Sequence, residues 1–396
     1  MNAIVDAKLE LAANWLKDVP EVSDWRKARL QQAREWLSTN GGPHARDHYW
    51  SYTNPSLLES PIGSKSISVP SFEGVAISPT MSISNDAIKI TPIAVAENAL
   101  FGRLISGAHQ RGARPLAEKT LLSAEGLYIE VAGDGGVLTI DRDFWPDEIY
   151  IGISIASGAF LTVIETGTKS SAQNLVIEAE LADEASFHHV RVASALEDVF
   201  HAHLFAEIGA NCDLRSFTLS GAGKLHRFES VVDLQGDNSH VSIAGADLLM
   251  NKGHQDDTVY ITHDALNCNS RQVFKRVVGE GATSVFQGKI LVKEGAQKTD
   301  GYQISQGLML EDGAEILSKP ELEIYADDVA CSHGSTTSGL DETALFYLRS
   351  RGVPMDEARK LLVRAFIEEA IEEIHSEDLR AQIGALSEEW IFGQAV

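Results

Sequence analysis

Between about Leu121 and Gly334 the chain is built of short runs, four to eight residues long, in which apolar and polar side chains alternate, with Gly, Asn, Asp and Ala in the turns between them. A period of two fits a strand with one buried face and not an amphipathic helix, so the middle of the molecule is expected to be all β. Several runs open on a similar small-residue cue: SGAFLTVIE from Ser157, DEASFHHVRV from Asp183, GANCDLRSFTL from Gly209, GDNSHVSIAG from Gly236, GATSVFQGKILV from Gly281 and DGAEILSKPELEI from Asp312. The first four cues fall roughly 25 to 28 residues apart, which matches the coils of a solenoid and is too short for propeller blades of about 40 to 45 residues. The later cues are irregularly spaced, so the pattern by itself leaves a sandwich open.

The flanks carry a helical period. Leu9, Trp15 and Leu16 mark one segment and Trp25, Leu30, Ala33, Trp36 and Leu37 a second, with Ser23 as its cap and Gly41-Gly42 as its stop. Asn54 to Pro79 is rich in Pro and Ser and reads as extended or loop, and Ala94 to Leu104 is expected to add a helix. Beyond Gly334 a helix is expected from Asp341 to Arg351, stopped by Gly352, and Pro354 opens another. That second helix carries two apolar rows, Leu362, Phe366, Ala370, Ile374 and Val363, Ile367, Ile371, opposite Arg364, Glu368, Glu369, Glu372 and Glu373. Such width exceeds what one contact needs, which makes Val363, Ile367 and Ile371 candidates for an outward, partner-binding row. A last helix is expected over Glu377 to Trp390. The chain divides accordingly into 1–120, a helical module with linker; 121–335, the β core; and 336–396, a second helical module.

A formal charge of -24, from 57 acidic and 33 basic residues, argues against nucleic-acid or anionic-membrane surfaces, which need a basic footprint. Cys212, Cys268 and Cys331 include no CxxC pair, so neither a zinc knuckle nor a disulfide framework is expected and a reducing, cytoplasmic setting fits. The start of the sequence lacks a basic, then apolar leader, and no run of about 18 apolar residues occurs, so no membrane association is expected.

Two constellations could carry metal chemistry. Residues Lys319 to Gly334 read KPELEIYADDVACSHG, in which Glu321, Glu323 and Tyr325 alternate with Leu322, Ile324 and Ala326; the strand is expected to run on to Cys331 and His333. Alternation puts Cys331 and His333 on one face, about 7 Å apart, both donors suited to iron, zinc or copper. Two donors cannot complete a site. His201, His203 and Glu207 spell HAHLFAE, which resembles the first metal motif of cupins; the glycines that motif wants are replaced by Ala195 and Leu214, and no convincing second motif follows. Neighbouring His188 and His189 point to opposite faces of any strand. The GDGG run at Gly133 and the GAGK run at Gly221 are not GxxxxGK[ST], so nucleotide binding by this chain is not expected. There is no GxSxG elbow, and Ser335 and Ser338 read as turn and cap residues.

KPELEIYADDVACSHG, followed by LDETALFYLRSRG from Leu340, resembles the C-terminal signature of the SufD branch of the SufB/SufD family, the scaffold proteins of the SUF iron-sulfur cluster system. ARDHYWSYTNPSLL, from Ala45, is similar to an N-terminal segment of that family through Asp47, Trp50, Tyr52 and Thr53. The resemblance implies a right-handed parallel β-helix between helical modules and a non-catalytic subunit that pairs with SufB, with a homodimer open to the isolated chain. It implies that the C-terminal helices dock the SufC ATPase, which supplies the ATP chemistry. It also implies a nascent iron-sulfur cluster at the interface with SufB, with His333 as a ligand and Cys331 as a further candidate, and leaves room for reduced flavin in the assembled complex. The competing expectation is a cupin-like metal-binding protein or metalloenzyme using His201, His203 and Glu207.

Overall fold

A computed structural model describes residues 2–17, 24–59, 71–96, 100–123, 125–168, 172–193, 198–221, 223–249 and 252–393. Sixteen strands from Glu125–Val131 to Ala330–Ser338 alternate between two sheets, so that each pair of successive strands makes one coil of a parallel solenoid of about eight turns. Within a sheet, every strand of the stack pairs in parallel with the strand one coil earlier, as in Val199–Ile208 between Ala172–Leu181 and Leu225–Leu234. The mainly β fold with flanking helices agrees with the expectation from the alternating runs.

The cues that punctuate the sequence are the corners of these coils. Gly158, Glu184, Asn211, Asn238, Asn267 and Lys298 all adopt φ between 55° and 70°, a left-handed turn that glycine and asparagine accept most readily. Each donates its backbone N–H to the corner of the next coil, for example Glu184 to Ala210 O at 2.7 Å, Asn211 to Asp237 O at 2.8 Å and Asn238 to Leu266 O at 2.9 Å. Gly281 and Gly313 also have positive φ, but with Lys252 they mark the opposite corner. The irregular later spacing therefore mixes two corners, and the coils also lengthen: the register offset is 26 residues at Phe160↔Ser186 and 32 at Thr283↔Glu315.

The inner faces of the two sheets close over one apolar column that includes Leu127, Ile151, Leu175, Phe187, Phe200, Phe228, Val259, Phe274 and Phe286. Burial of each such side chain contributes roughly 1.5–3 kcal/mol. The first coil is covered: Ile88–Pro92, itself paired with Ile83–Ser84, lies antiparallel on Glu125–Val131, and Val75–Ala76 pairs with Asp134–Asp141. The last coil is not. Glu315–Ile324 and Ala330–Ser338 end their sheets, each with one edge unpaired among the described residues.

Four helices stand before the solenoid and three after it among the described residues: α1 (Asn2–Trp15), α2 (Asp24–Asn40), α3 (Arg103–Ala108), α4 (Pro115–Ser123), α5 (Glu342–Ser350), α6 (Met355–Ile371) and α7 (Glu377–Gly393). Gly41, at φ 76°, ends α2 with its N–H on Leu37 O. The Ser23 cap and residues 60–70 of the Pro/Ser-rich passage lie outside the described residues. Of the helix expected over Ala94 to Leu104, residues 97–99 lie outside the described residues; α3 begins at Arg103, where buried Glu178 accepts from Leu104 N at 2.7 Å and Ile105 N at 3.1 Å. The N-terminal module lies on the outer face of the ten-stranded sheet, where Phe101, Leu104 and Tyr49 share a cluster with Tyr150, Phe205 and Tyr260.

The C-terminal module corrects one expectation. Val363, Ile367 and Ile371 are 0%, 0% and 1% exposed and pack with Trp390 and Ile383 of α7 and with Phe217, Ala246 and Val273 on the outer face of the nine-stranded sheet. The wide apolar face of α6 is consumed inside the chain: one row meets the sheet and α7 covers the rest. The module thus folds back along the flank of the solenoid and leaves the last coil open.

Candidate functional site

The last coil ends both sheets and carries the Cys331/His333 pair. KPELEIYADDVACSHG does not form one strand, as its alternation suggested; the chain turns a corner after Ile324, so Glu321 and Glu323 stand in one sheet and Cys331 and His333 in the other. The corner is fixed by Lys298 N on Asp328 O and Asp328 N on Gln297 Oε1 at 2.9 Å. Cys331 and His333 do share a face. They stack over Gly301 and Gln303 of the preceding coil, on the side that faces the solenoid interior. Beneath His333, buried Gln303 donates to Gln272 at 2.7 Å. Cys331 is half-buried against Ile290, Val292, Ala296 and Leu322, and burial, only partly offset by the Gly301 N–H, pushes its thiol pKa up. His333 is exposed.

The two open edges differ. Glu315–Ile324 carries Pro320 and a charged outward row of Lys319, Glu321 and Glu323, devices that discourage strand addition. Lys289 Nζ holds Glu323 at 2.6 Å and Lys319 Nζ holds His48 Nε2 at 2.7 Å. Ala330–Ser338 reads ACSHGSTTS, with neither Pro nor Asp, Glu, Lys or Arg, and is exposed along most of its length. It is the edge that can accept another strand by main-chain hydrogen bonding.

The other candidates resolve into structure. His201 and His203 share the outer face of Val199–Ile208, but that face is buried beneath the N-terminal module, with Trp50 edge-on to His201 at 5.8 Å and His203 stacked on Phe205. Burial, then His203 and Arg227, hold His201 far below the usual imidazole pKa. Glu207 does not converge with them; it accepts from Arg103 Nη1 at 2.7 Å. The cupin-like expectation lacks its ligand geometry. The segment containing Asp47, Trp50 and Thr53 is likewise a fastening: Lys8 binds Asp47 at 2.9 Å, Arg227 lies 4.3 Å over the Trp50 ring, and Thr53 bonds His254 at 2.9 Å and Asp256. Cys212 and Cys268 are buried at corners, their thiols on backbone carbonyls of Ala182 and Gly236 at 3.0 and 3.2 Å. No described helix is long and apolar enough to cross a membrane.

The chain is a parallel solenoid between helical modules with a Cys/His pair at its open end, and comparison with known proteins gives this frame a family. Residues 150–366 match the family described as SUF system FeS cluster assembly, SufBD core domain, and the chain belongs to that family. Among its relatives, the iron-sulfur cluster assembly protein SufD of Escherichia coli is 34% identical over 238 residues, 58% of this chain and 56% of that protein. A SufBD family protein of Synechocystis is 33% identical over 216 residues, 53% of this chain and 47% of its own, and one of Mycobacterium bovis is 26% identical over 364 residues, 87% of this chain and 88% of its own. The matched region thus spans about half the length of the first two relatives.

Proposed function

We propose that this chain is the SufD-type, non-catalytic scaffold subunit of a SUF complex, pairing with a SufB-type solenoid through its last coil. The observation that carries this is the asymmetry of the two ends: the first coil is capped by three strand segments, whereas Ala330–Ser338 presents an uncapped, uncharged edge with His333 exposed beside it. Adding a partner's strand there satisfies the edge and closes the partner's end coil over His333. Imidazole and thiolate are both ligands for cluster iron, so in this reading His333, with Cys331 behind it, holds a nascent cluster together with partner groups. In the partner's absence a second copy can occupy the same edge.

The SufC-type ATPase docks on the C-terminal module, which moves as a body when ATP brings two ATPase subunits together. Burial of Val363, Ile367 and Ile371 moves the docking surface to α5, where Phe346 is 75% and Tyr347 57% exposed, with Met355 nearby in sequence. The test is purification of the tagged chain from its own host, with partners identified, beside a His333→Ala strain. SufB and SufC homologues are expected in the wild-type preparation. The His333→Ala chain should recover both partners, since an exposed side chain changes stability by about 0.5 kcal/mol or less, while cluster-dependent enzymes in the cell lose activity. Full activity in that strain removes His333 from the site.

A further inference from the structure

Away from the last coil, a second group of ligand-type side chains joins the solenoid to the C-terminal module. His188 and Asp213 come from adjacent strands, Ser186–Ala193 and Asp213–Ser220, on the outer face of the nine-stranded sheet. His375 comes from the turn between α6 and α7. His188 Nε2 lies 3.1 Å from Asp213 Oδ2, the two imidazole rings are 4.5 Å apart, and one ligand atom from each of the three residues lies within 4.8 Å of the other two. We propose that His188, Asp213 and His375 form a binding site for a single divalent transition-metal ion, zinc or ferrous iron, that pins the turn between α6 and α7 to the solenoid.

Several independent features fit. Two imidazoles and one carboxylate, with the fourth position left to water, are a ligand set that zinc and ferrous iron accept. Donors on a tetrahedral ion at about 2.0–2.2 Å stand about 3.4 Å from each other, a separation already met by His188 and Asp213. His375 is exposed and sits on a turn, so its side chain can close the remaining distance. A small gap of about 10 Å³, lined by His188, Arg215, Phe217, Ile374 and His375, adjoins the group.

The neighbouring side chains orient the carboxylate. Arg215 Nε donates to both Asp213 oxygens at 2.9 and 3.1 Å, an outer contact that orients the carboxylate and leaves lone pairs for a metal. His240 Nε2 stands 3.9 Å from Asp213 Oδ1, on the far side from His188. Glu373 is occupied by Arg271 at 2.9 Å and Ser242 at 2.8 Å. The acidity of the chain adds a long-range attraction for any cation.

The experiment uses the full chain, freed of metal by chelation, and titrates it with Co²⁺ as an optical probe, then Zn²⁺ and anaerobic Fe²⁺. One equivalent of Co²⁺ with tetrahedral visible bands is expected in wild type and in His333→Ala, and Zn²⁺ or Fe²⁺ should displace it. His375→Ala should bind at least tenfold more weakly and lose the rise in Tm that saturating Zn²⁺ gives the wild type; its exposed position keeps the metal-free fold intact. Asp213→Asn, which preserves the side-chain volume, should weaken binding in the same direction. Absence of stoichiometric binding in wild type, binding unchanged in His375→Ala, or binding lost in His333→Ala each overturns the site. The result is separate from the proposed scaffold role, which is read from partners and from cluster enzymes in the cell.

Discussion

Replacing Ile367 by Ala tests whether α6 is bound to the solenoid flank or free to serve a partner. Ile367 is fully buried between α6, α7 and the strands His240–Leu249 and Asn269–Val278. Truncation removes three carbons, about 2.4 kcal/mol at roughly 0.8 kcal/mol per buried methylene, and a cavity that fails to collapse raises the loss to about 4 kcal/mol. The polar contacts at the same flank, Lys275 to Glu369 of α6 and Arg271 to Glu373 just beyond it at 2.9 Å, are partly exposed and add little. The loss therefore falls on the docking of the module rather than on the strands. Amide hydrogen exchange reads it directly: protection of α6 and α7 should fall about fiftyfold or more, since each 1.4 kcal/mol is a factor of ten, while protection of Val199–Ile208 stays unchanged. A loss under about 1 kcal/mol in urea unfolding, with unchanged exchange in α6, would refute the account of the apolar rows and restore Val363, Ile367 and Ile371 as candidates for a partner surface.

The surface that remains for the ATPase predicts that Phe346→Ser with Tyr347→Ser leaves the unfolding midpoint within about 0.5 kcal/mol of wild type but abolishes SufC capture; capture at wild-type level by pull-down would place the contact elsewhere. Glu207→Gln should cost no more than about 1 kcal/mol, the worth of its partly exposed pair with Arg103, and leave metal content unchanged by elemental analysis, whereas a metalloenzyme built on HAHLFAE would lose its ion. Buried His263, whose imidazole bonds Ser270 at 2.8 Å, has its pKa pushed down by burial to about 4. Between pH 6.5 and 4 the unfolded chain therefore takes up a proton that the folded chain refuses, stability falls as pH drops, and up to about 3 kcal/mol is lost. His263→Gln should flatten that slope in urea titrations run across this range, and an unchanged slope would assign the acid sensitivity to other groups.

Much of the architecture was legible in the residues because coil repetition is local. Each strand alternates by the pleat, and each corner needs a left-handed residue, so Gly158, Asn211 and Asn238 announce the solenoid without knowledge of long-range contacts. The pairing of Cys331 with His333 on one face follows from the same pleat. Their exposure did not follow, because alternation is identical for a strand inside the stack and one at its end; only the sheet order shows that nothing described pairs beyond Ala330–Ser338. The apolar rows of α6 likewise state that a surface must be covered and not by what, and only the tertiary structure assigns it to the flank. Periodicity also made one strand of Glu321 to His333, since the corner that divides it is set by Lys298 and Gln297 one coil earlier. His188, Asp213 and His375 meet across 187 residues of chain, and proximity of that kind is decided by how the coils stack and where the helices fold back, which no local pattern records.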